Sequence, residues 1–88
     1  MEDRMRSQEI AKAYSYMVGK KYRHFKGTVY VVSGLAIHSE TSEVMVIYKN
    51  LDNPLLIWCR PFKMFVSPVD REKYPDVKQR MRFEPVED

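Results

Sequence analysis

Glycine is scarce, with only three in 88 residues, at Gly19, Gly27 and Gly34. So few cannot build a run of backbone amides that wraps a triphosphate, and no G-x-S-x-G elbow, H-E-x-x-H helix or paired Cys-x-x-Cys stands elsewhere. The single cysteine, Cys59, excludes an internal disulfide and a cysteine-rich zinc site, and points to a reducing, cytoplasmic setting. Long apolar runs are missing too. The longest, Val44 to Tyr48 and Leu55 to Cys59, are strand-sized, far below the roughly 18 residues that cross a bilayer. Met1 to Ser7 is charged and has no apolar segment behind it, so neither secretion nor membrane insertion is expected. Excess charge is small: the formal net charge of +3 admits an anionic partner but falls short of the dense basic surface of a dedicated nucleic-acid binder.

What is present is a core for one domain. Apolar residues make up 44% of the chain and aromatics 12%, enough to argue against wholesale disorder. A chain this short buries only roughly 60 to 65% of its unfolded surface, which excludes a two-domain enzyme and makes association of copies helpful. Residues 8 to 18 read as a short amphipathic helix, with Ile10, Ala13, Tyr14, Met17 and Val18 at the spacing of one apolar face. Ser7 is placed to cap its start, and Gly19 to supply the left-handed residue after its end. About three turns are not stable alone in water, so the helix must dock on the rest of the domain or on another copy. Residues 1–19 therefore form an N-terminal helical segment, and 20–88 the main domain.

From Tyr22 the pattern becomes β. Val29 to Ile37, Val44 to Tyr48 and Leu55 to Cys59 are β-branched and aromatic runs separated by the polar segments 38–43 and 50–54. Short loops between successive strands predict an antiparallel meander. Phe62 to Val66 fits a turn of helix or a further strand, and Arg80 to Val86 offers a last strand through Met81 and Phe83. The fold expected is mainly β: a small antiparallel barrel of about five strands, of the SH3 or OB type, preceded by one helix. Such a barrel hides its strand edges.

Four groups of residues can carry chemistry. From Lys20 to Lys26 basic residues alternate with rings; Tyr22, His24 and Lys26 point one way, and Lys21, Arg23 and Phe25 the other. Basic charge interleaved with aromatics suits a single-stranded nucleic-acid groove, while an ordinary solvated strand edge carries lysines for another reason, to discourage wrong pairing; the second reading is preferred. His38-Ser39-Glu40-Thr41 is either a hairpin loop satisfying its own amides or a polar binding loop. Trp58 and Arg60 share a strand face, a flat ring beside a planar cation, suited to a base, phosphate or carboxylate. For Trp58 alone, the core is the preferred place. Cys59, in an apolar strand, is expected to be an inert buried thiol rather than a nucleophile. His24, His38, Glu40 and Cys59 are acceptable metal ligands in type, but their spacing matches no ligand pair, and neither metal nor cofactor is expected.

The same residues carry a resemblance. Tyr22-Arg23-His24-Phe25-Lys26-Gly27, Tyr30-Val31-Val32, His38-Ser39-Glu40-Thr41 with Glu43, Val46 and Tyr48, and Trp58-Cys59-Arg60-Pro61 with Met64-Phe65 are similar to the successive signatures of the small bacterial and phage family called domain of unknown function 1653. The likeness spans residues 22–66, and Arg82-Phe83 resembles the pair that ends the family pattern. It implies an SH3-like barrel, no known activity, and a set of residues to test: His24, Lys26, His38, Ser39, Glu40, Thr41, Trp58 and Arg60.

Together these readings predict a non-enzymatic binding module that holds a small anionic or nucleotide-like ligand in a homo-oligomer. Arg60 and Lys26 would meet negative charge, Trp58 or Tyr22 would stack, and Glu40 would fix orientation. A nucleic-acid binder using residues 20–26 as its track, or a protein-interaction adaptor, are the alternatives.

Overall fold

The computed structural model describes residues 7–87. The first element, α1 (Ser7–Met17), takes in Ser7, so its cap lies outside the described residues. Ile10, Ala13 and Met17 face the domain while Tyr14, expected among them, is exposed. The helix stops where Gly19 adopts φ +86°, and from there the Gly19 N–H donates to the Val32 carbonyl at 2.8 Å. That left-handed residue turns the chain directly onto the sheet, and Met17 joins the sheet's core.

Five strands follow: β1 (Lys21–His24), β2 (Val29–Ile37), β3 (Val44–Asn50), β4 (Ile57–Pro61) and β5 (Phe83–Val86), with one turn of helix, α2 (Phe62–Phe65), after β4. All pairings are antiparallel, in the order β4-β3-β2-β1-β5. The meander is as the turn chemistry predicts, with β5 returning to the far side of β1. A register shift between Val32 and Gly34 bends β2, as a bulge does by adding one unpaired residue. Val32 and Val46 are fully buried at the centre, and Tyr22, Tyr48, Phe65 and Phe83 complete the core.

The mainly β fold with its preceding helix is as expected, but the sheet is not closed into a barrel. β4 and β5 are its two ends and exchange no backbone hydrogen bonds. The gap is spanned by the chain after α2, where the Arg82 N–H donates to the Ser67 carbonyl at 2.8 Å and the Val69 N–H to the Arg80 carbonyl at 2.9 Å, and by side chains. Phe65 from α2 stacks on Phe83 from β5 with centroids 4.0 Å apart and planes within 6°, and Tyr48 meets both edge-on. Aromatic rings this thick hold the two edges apart while filling the space between them.

The other corrections share a cause. The basic stretch is not a strand edge, because β1 lies inside the sheet between β2 and β5. The edge is β4, which pairs only with β3 among the described residues, so Cys59 is exposed rather than buried and Trp58 is 48% exposed rather than core. Leu55 and Leu56 precede β4, in a turn where the Leu56 N–H donates to the Asn53 carbonyl. Phe62 to Phe65 is helix. No helix among the described residues is long and apolar enough to cross a membrane.

Candidate functional site

The open seam between β4 and β5 gathers positive charge. His24, the last residue of β1, pairs with Phe83 in register, and its ring meets the Phe83 ring edge-on at 5.0 Å and stacks on Phe25 at 4.3 Å. Gly27 at φ +109° closes the turn that follows, and the Lys26 backbone N–H donates to His24 Nδ1 at 3.1 Å. With Nδ1 accepting, the neutral imidazole carries its proton on Nε2. Burial, then the charges of Arg60, Arg82 and Lys26, push the His24 pKa down to about 4. At neutral pH the histidine is therefore an uncharged donor beside three cations.

Among the described residues, the partners of those cations are neutral. Arg60 donates from Nε to the Tyr48 hydroxyl at 3.3 Å and lies over the Phe83 ring at 5.7 Å. Arg82 donates from Nε to the Ser67 hydroxyl at 3.1 Å. Lys26 Nζ stands 5.5 Å from the Tyr74 centroid and 6.0 Å from that of Phe25. A guanidinium holding one neutral acceptor keeps most of its fork of donors for another, and a forked donor fits a phosphate or carboxylate bidentately.

Of the residues singled out in the sequence, His24, Lys26 and Arg60 are brought together here. Trp58 lies two positions from Arg60 on the same face of β4 and donates from Nε1 to Asn50 Oδ1 at 2.7 Å, so its ring flanks the seam with the indole N–H already engaged. Tyr22 is elsewhere. It is buried against Phe65 and lines a cavity beside α1 with Tyr16, Phe65 and Phe83, and burial followed by Tyr16 raises its pKa.

The loop His38 to Thr41 tips the β2–β3 hairpin, and its hydrogen bonds are internal. His38 Nδ1 accepts from the Glu40 and Thr41 amides, Ser42 N–H donates to the His38 carbonyl, and the Thr41 hydroxyl links to Glu43. Ser39 and Glu40 side chains are exposed on the turn. The loop is thus folded on its own bonds and is not assembled with Arg60 or Trp58 into one constellation.

Arg82 is the member that the sequence reading left out of its candidate site. Its signal was the Arg82-Phe83 pair: the ring must enter the core, which fixes its neighbour at the rim. Among the described residues no group of three or more His, Cys, Asp or Glu side chains is placed to hold a metal ion.

A protein-family model described as "Protein of unknown function (DUF1653)" matches residues 20–85. That span begins just after α1 and takes in α2, nearly all of the sheet and every residue of the seam. No curated protein and no solved structure gives a match to the chain.

Proposed function

Because the chain belongs to the DUF1653 family, whose description carries no activity, we propose a function from the seam: a non-enzymatic module that binds a small, multiply anionic, nucleotide-like ligand. One observation carries this reading. Lys26, Arg60 and Arg82 converge on His24, and the partner of each is a ring or a hydroxyl rather than a carboxylate. Three like charges held together with no counter-charge paired to them among the described residues cost stability, and a bound polyanion relieves that cost. Arg60 and Arg82 grip phosphate oxygens with their forks, Lys26 adds a point charge, and His24 donates from Nε2. Trp58 offers a ring at the flank for a base.

Binding rather than turnover fits the chemistry of the site. A histidine with a pKa near 4 is a weak base at neutral pH. Cys59 points to the opposite face of β4 from Arg60, away from the cations. The module is read as acting in a reducing cytoplasm, where an exposed Cys59 stays a thiol.

Thermal unfolding of the full chain against a panel of nucleotides, inorganic pyrophosphate and inorganic phosphate tests this. A ligand held at a hundred times its dissociation constant adds about 2.7 kcal/mol to folding stability, a visible rise in Tm. Arg60→Met and Arg82→Met should each abolish the rise while leaving the chain folded; a panel that shifts nothing overturns the reading. A nucleic-acid track along the exposed Lys20, Arg23 and Lys26 is the competing function. It is recognised by an affinity for single strands that falls steeply with salt, whereas a pocket meeting few charges shows a shallow slope.

A further inference from the structure

The two ends of the sheet are treated differently by the sequence. In β5 the Phe25 N–H donates to the Arg82 carbonyl, and antiparallel alternation from that pair makes Glu84 and Val86 the residues bonded to β1, while Phe83 and Pro85 turn their backbone outward. Proline thus occupies an outward position, where it removes a free donor, and Glu84 stands beside it. These are the devices that blunt an edge.

β4 has neither over most of its length. The Asn50 N–H donates to the Leu56 carbonyl, so by the same alternation Leu56, Trp58 and Arg60 bond to β3, and Ile57 and Cys59 present N–H and C=O to the open side. No charged residue lies between Asn53 and Cys59, and within β4 itself only Pro61, at the far end, lacks a donor. The flank is apolar on both faces: Leu55, Leu56, Ile57 and Trp58 are 87, 45, 62 and 48% exposed.

We propose that β4 pairs antiparallel with β4 of a second copy about a two-fold axis at Trp58, joining two five-stranded sheets into one. The free backbone groups are complementary to themselves in this register. Ile57 faces Cys59 of the other copy and Cys59 faces its Ile57, so every outward N–H and C=O of the two residues is paired. Trp58 meets Trp58 across the axis, a direct aromatic cross-strand pair. Arg60 faces the uncharged Leu56 of the other copy, and the two Arg60 backbones stand roughly 14 Å apart at about 3.4 Å per residue, beyond the ~8 Å screening length of physiological salt.

The surface is also of the right size. At on the order of 200 Å² for a large apolar residue, the stated exposures leave roughly 480 Å² of apolar area on each copy. A standard interface takes about 800 Å² per partner, of which about 60% is apolar. The joined edge would set the two indoles between the two cation clusters, one from each copy. The pairing itself does not depend on the anion site, and its tests involve no ligand.

Two measurements on the full chain decide it. Sedimentation equilibrium across a dilution series should give twice the chain mass, and Cys59→Pro, which deletes an outward donor without touching a bond to β3, should return the monomer. A wild-type chain that stays monomeric overturns the proposal, as does a dimer indifferent to Cys59→Pro when circular dichroism shows that variant folded. The register is read separately by oxidation in a Cys59→Ser background. Trp58→Cys should form an intermolecular disulfide, since directly opposed residues of a non-hydrogen-bonded pair have Cα atoms about 4.5 Å apart. Ile57→Cys should not, because its equivalents lie on a diagonal of about 7 to 8 Å. Crosslinking of both to the same extent, or of Ile57→Cys alone, overturns the register.

Discussion

The guanidinium carbon of Arg60, on β4, lies 5.7 Å from the centre of the Phe83 ring, on β5. These two strands are the opposite ends of the sheet and share no backbone hydrogen bond, so a cation over a ring does part of what strand pairing does in a closed barrel. The same contact keeps Arg60 beside His24, which joins the fold to the charge cluster.

Arg60→Ala should therefore cost stability as well as any anion binding. Loss of the ring contact and of the bond to the Tyr48 hydroxyl amounts to about 1 to 2 kcal/mol. Arg60→Met keeps the aliphatic packing and should cost less, while removing the charge completely. Urea denaturation of both variants checks this. Equal stability of Arg60→Ala and wild type would mean that Phe65, Phe83 and the backbone bonds from Ser67 and Val69 hold the seam without Arg60.

His24 gives a pH dependence whose sign is fixed. Its folded pKa is depressed from 6.5 to about 4, so between those values the unfolded chain binds more protons than the native one. Stability contributed by the neutral ring is fully present above about 6.5 and falls as pH drops toward 4. Thermal unfolding from pH 7.5 to 4 should show this decline, and His24→Gln should flatten it. Because burial is the largest cause and the charges of Arg60, Arg82 and Lys26 add to it, a bound phosphate would cancel part of the shift and raise the His24 pKa, visible as a moved titration of the ring proton by NMR.

Local pattern made most of the fold legible. β2 spans the residues its β-branched run marks, and Gly19 takes the left-handed turn that ends α1. What local pattern does not decide is which strands lie at the ends of the sheet. Alternation places Trp58 and Arg60 on one face, and they are on one face, but whether β4 is central or at an edge is decided by which strand comes to lie beside which. Trp58 and Cys59 are exposed rather than buried for that reason, and β1 is interior rather than an edge because β5, more than fifty residues later, pairs with it. The site was legible to the extent that it is local: His24 and Lys26 sit in one turn, whereas Arg82 reaches them only through the β1–β5 pairing.

Phe83→Ala should unfold the chain at moderate temperature. The ring stacks on Phe65 at 4.0 Å and meets His24, Tyr30 and Tyr48 edge-on, so its loss opens a cavity at the point where the two sheet ends meet. Truncations of buried phenylalanine cost about 3 to 5 kcal/mol, a large share of the roughly 5 to 15 that a small domain has. Phe83→Leu, which keeps much of the volume, should remain folded with a lowered Tm and a His24 pKa closer to its ordinary value, as water reaches the ring.

Gly19 and Gly34 separate backbone strain from crowding. A Cβ added at either position meets nothing within 4 Å, so neither substitution is resisted by neighbours. Gly19, however, stands at φ +86°, where an L side chain is strained, and its N–H ties the end of α1 to the Val32 carbonyl of β2. Gly19→Ala should cost about 1 to 2 kcal/mol, which for a domain of this size lowers Tm by roughly 4 to 16 °C. Gly34 lies in β2 without a positive φ, so Gly34→Ala loses nothing in the native state and narrows the unfolded ensemble, giving no change or a gain of up to about 1 kcal/mol. The two variants should move Tm in opposite directions or leave Gly34→Ala unmoved. A matching fall in both would mean that free space at these glycines is needed for some other reason, such as the close approach of a second chain.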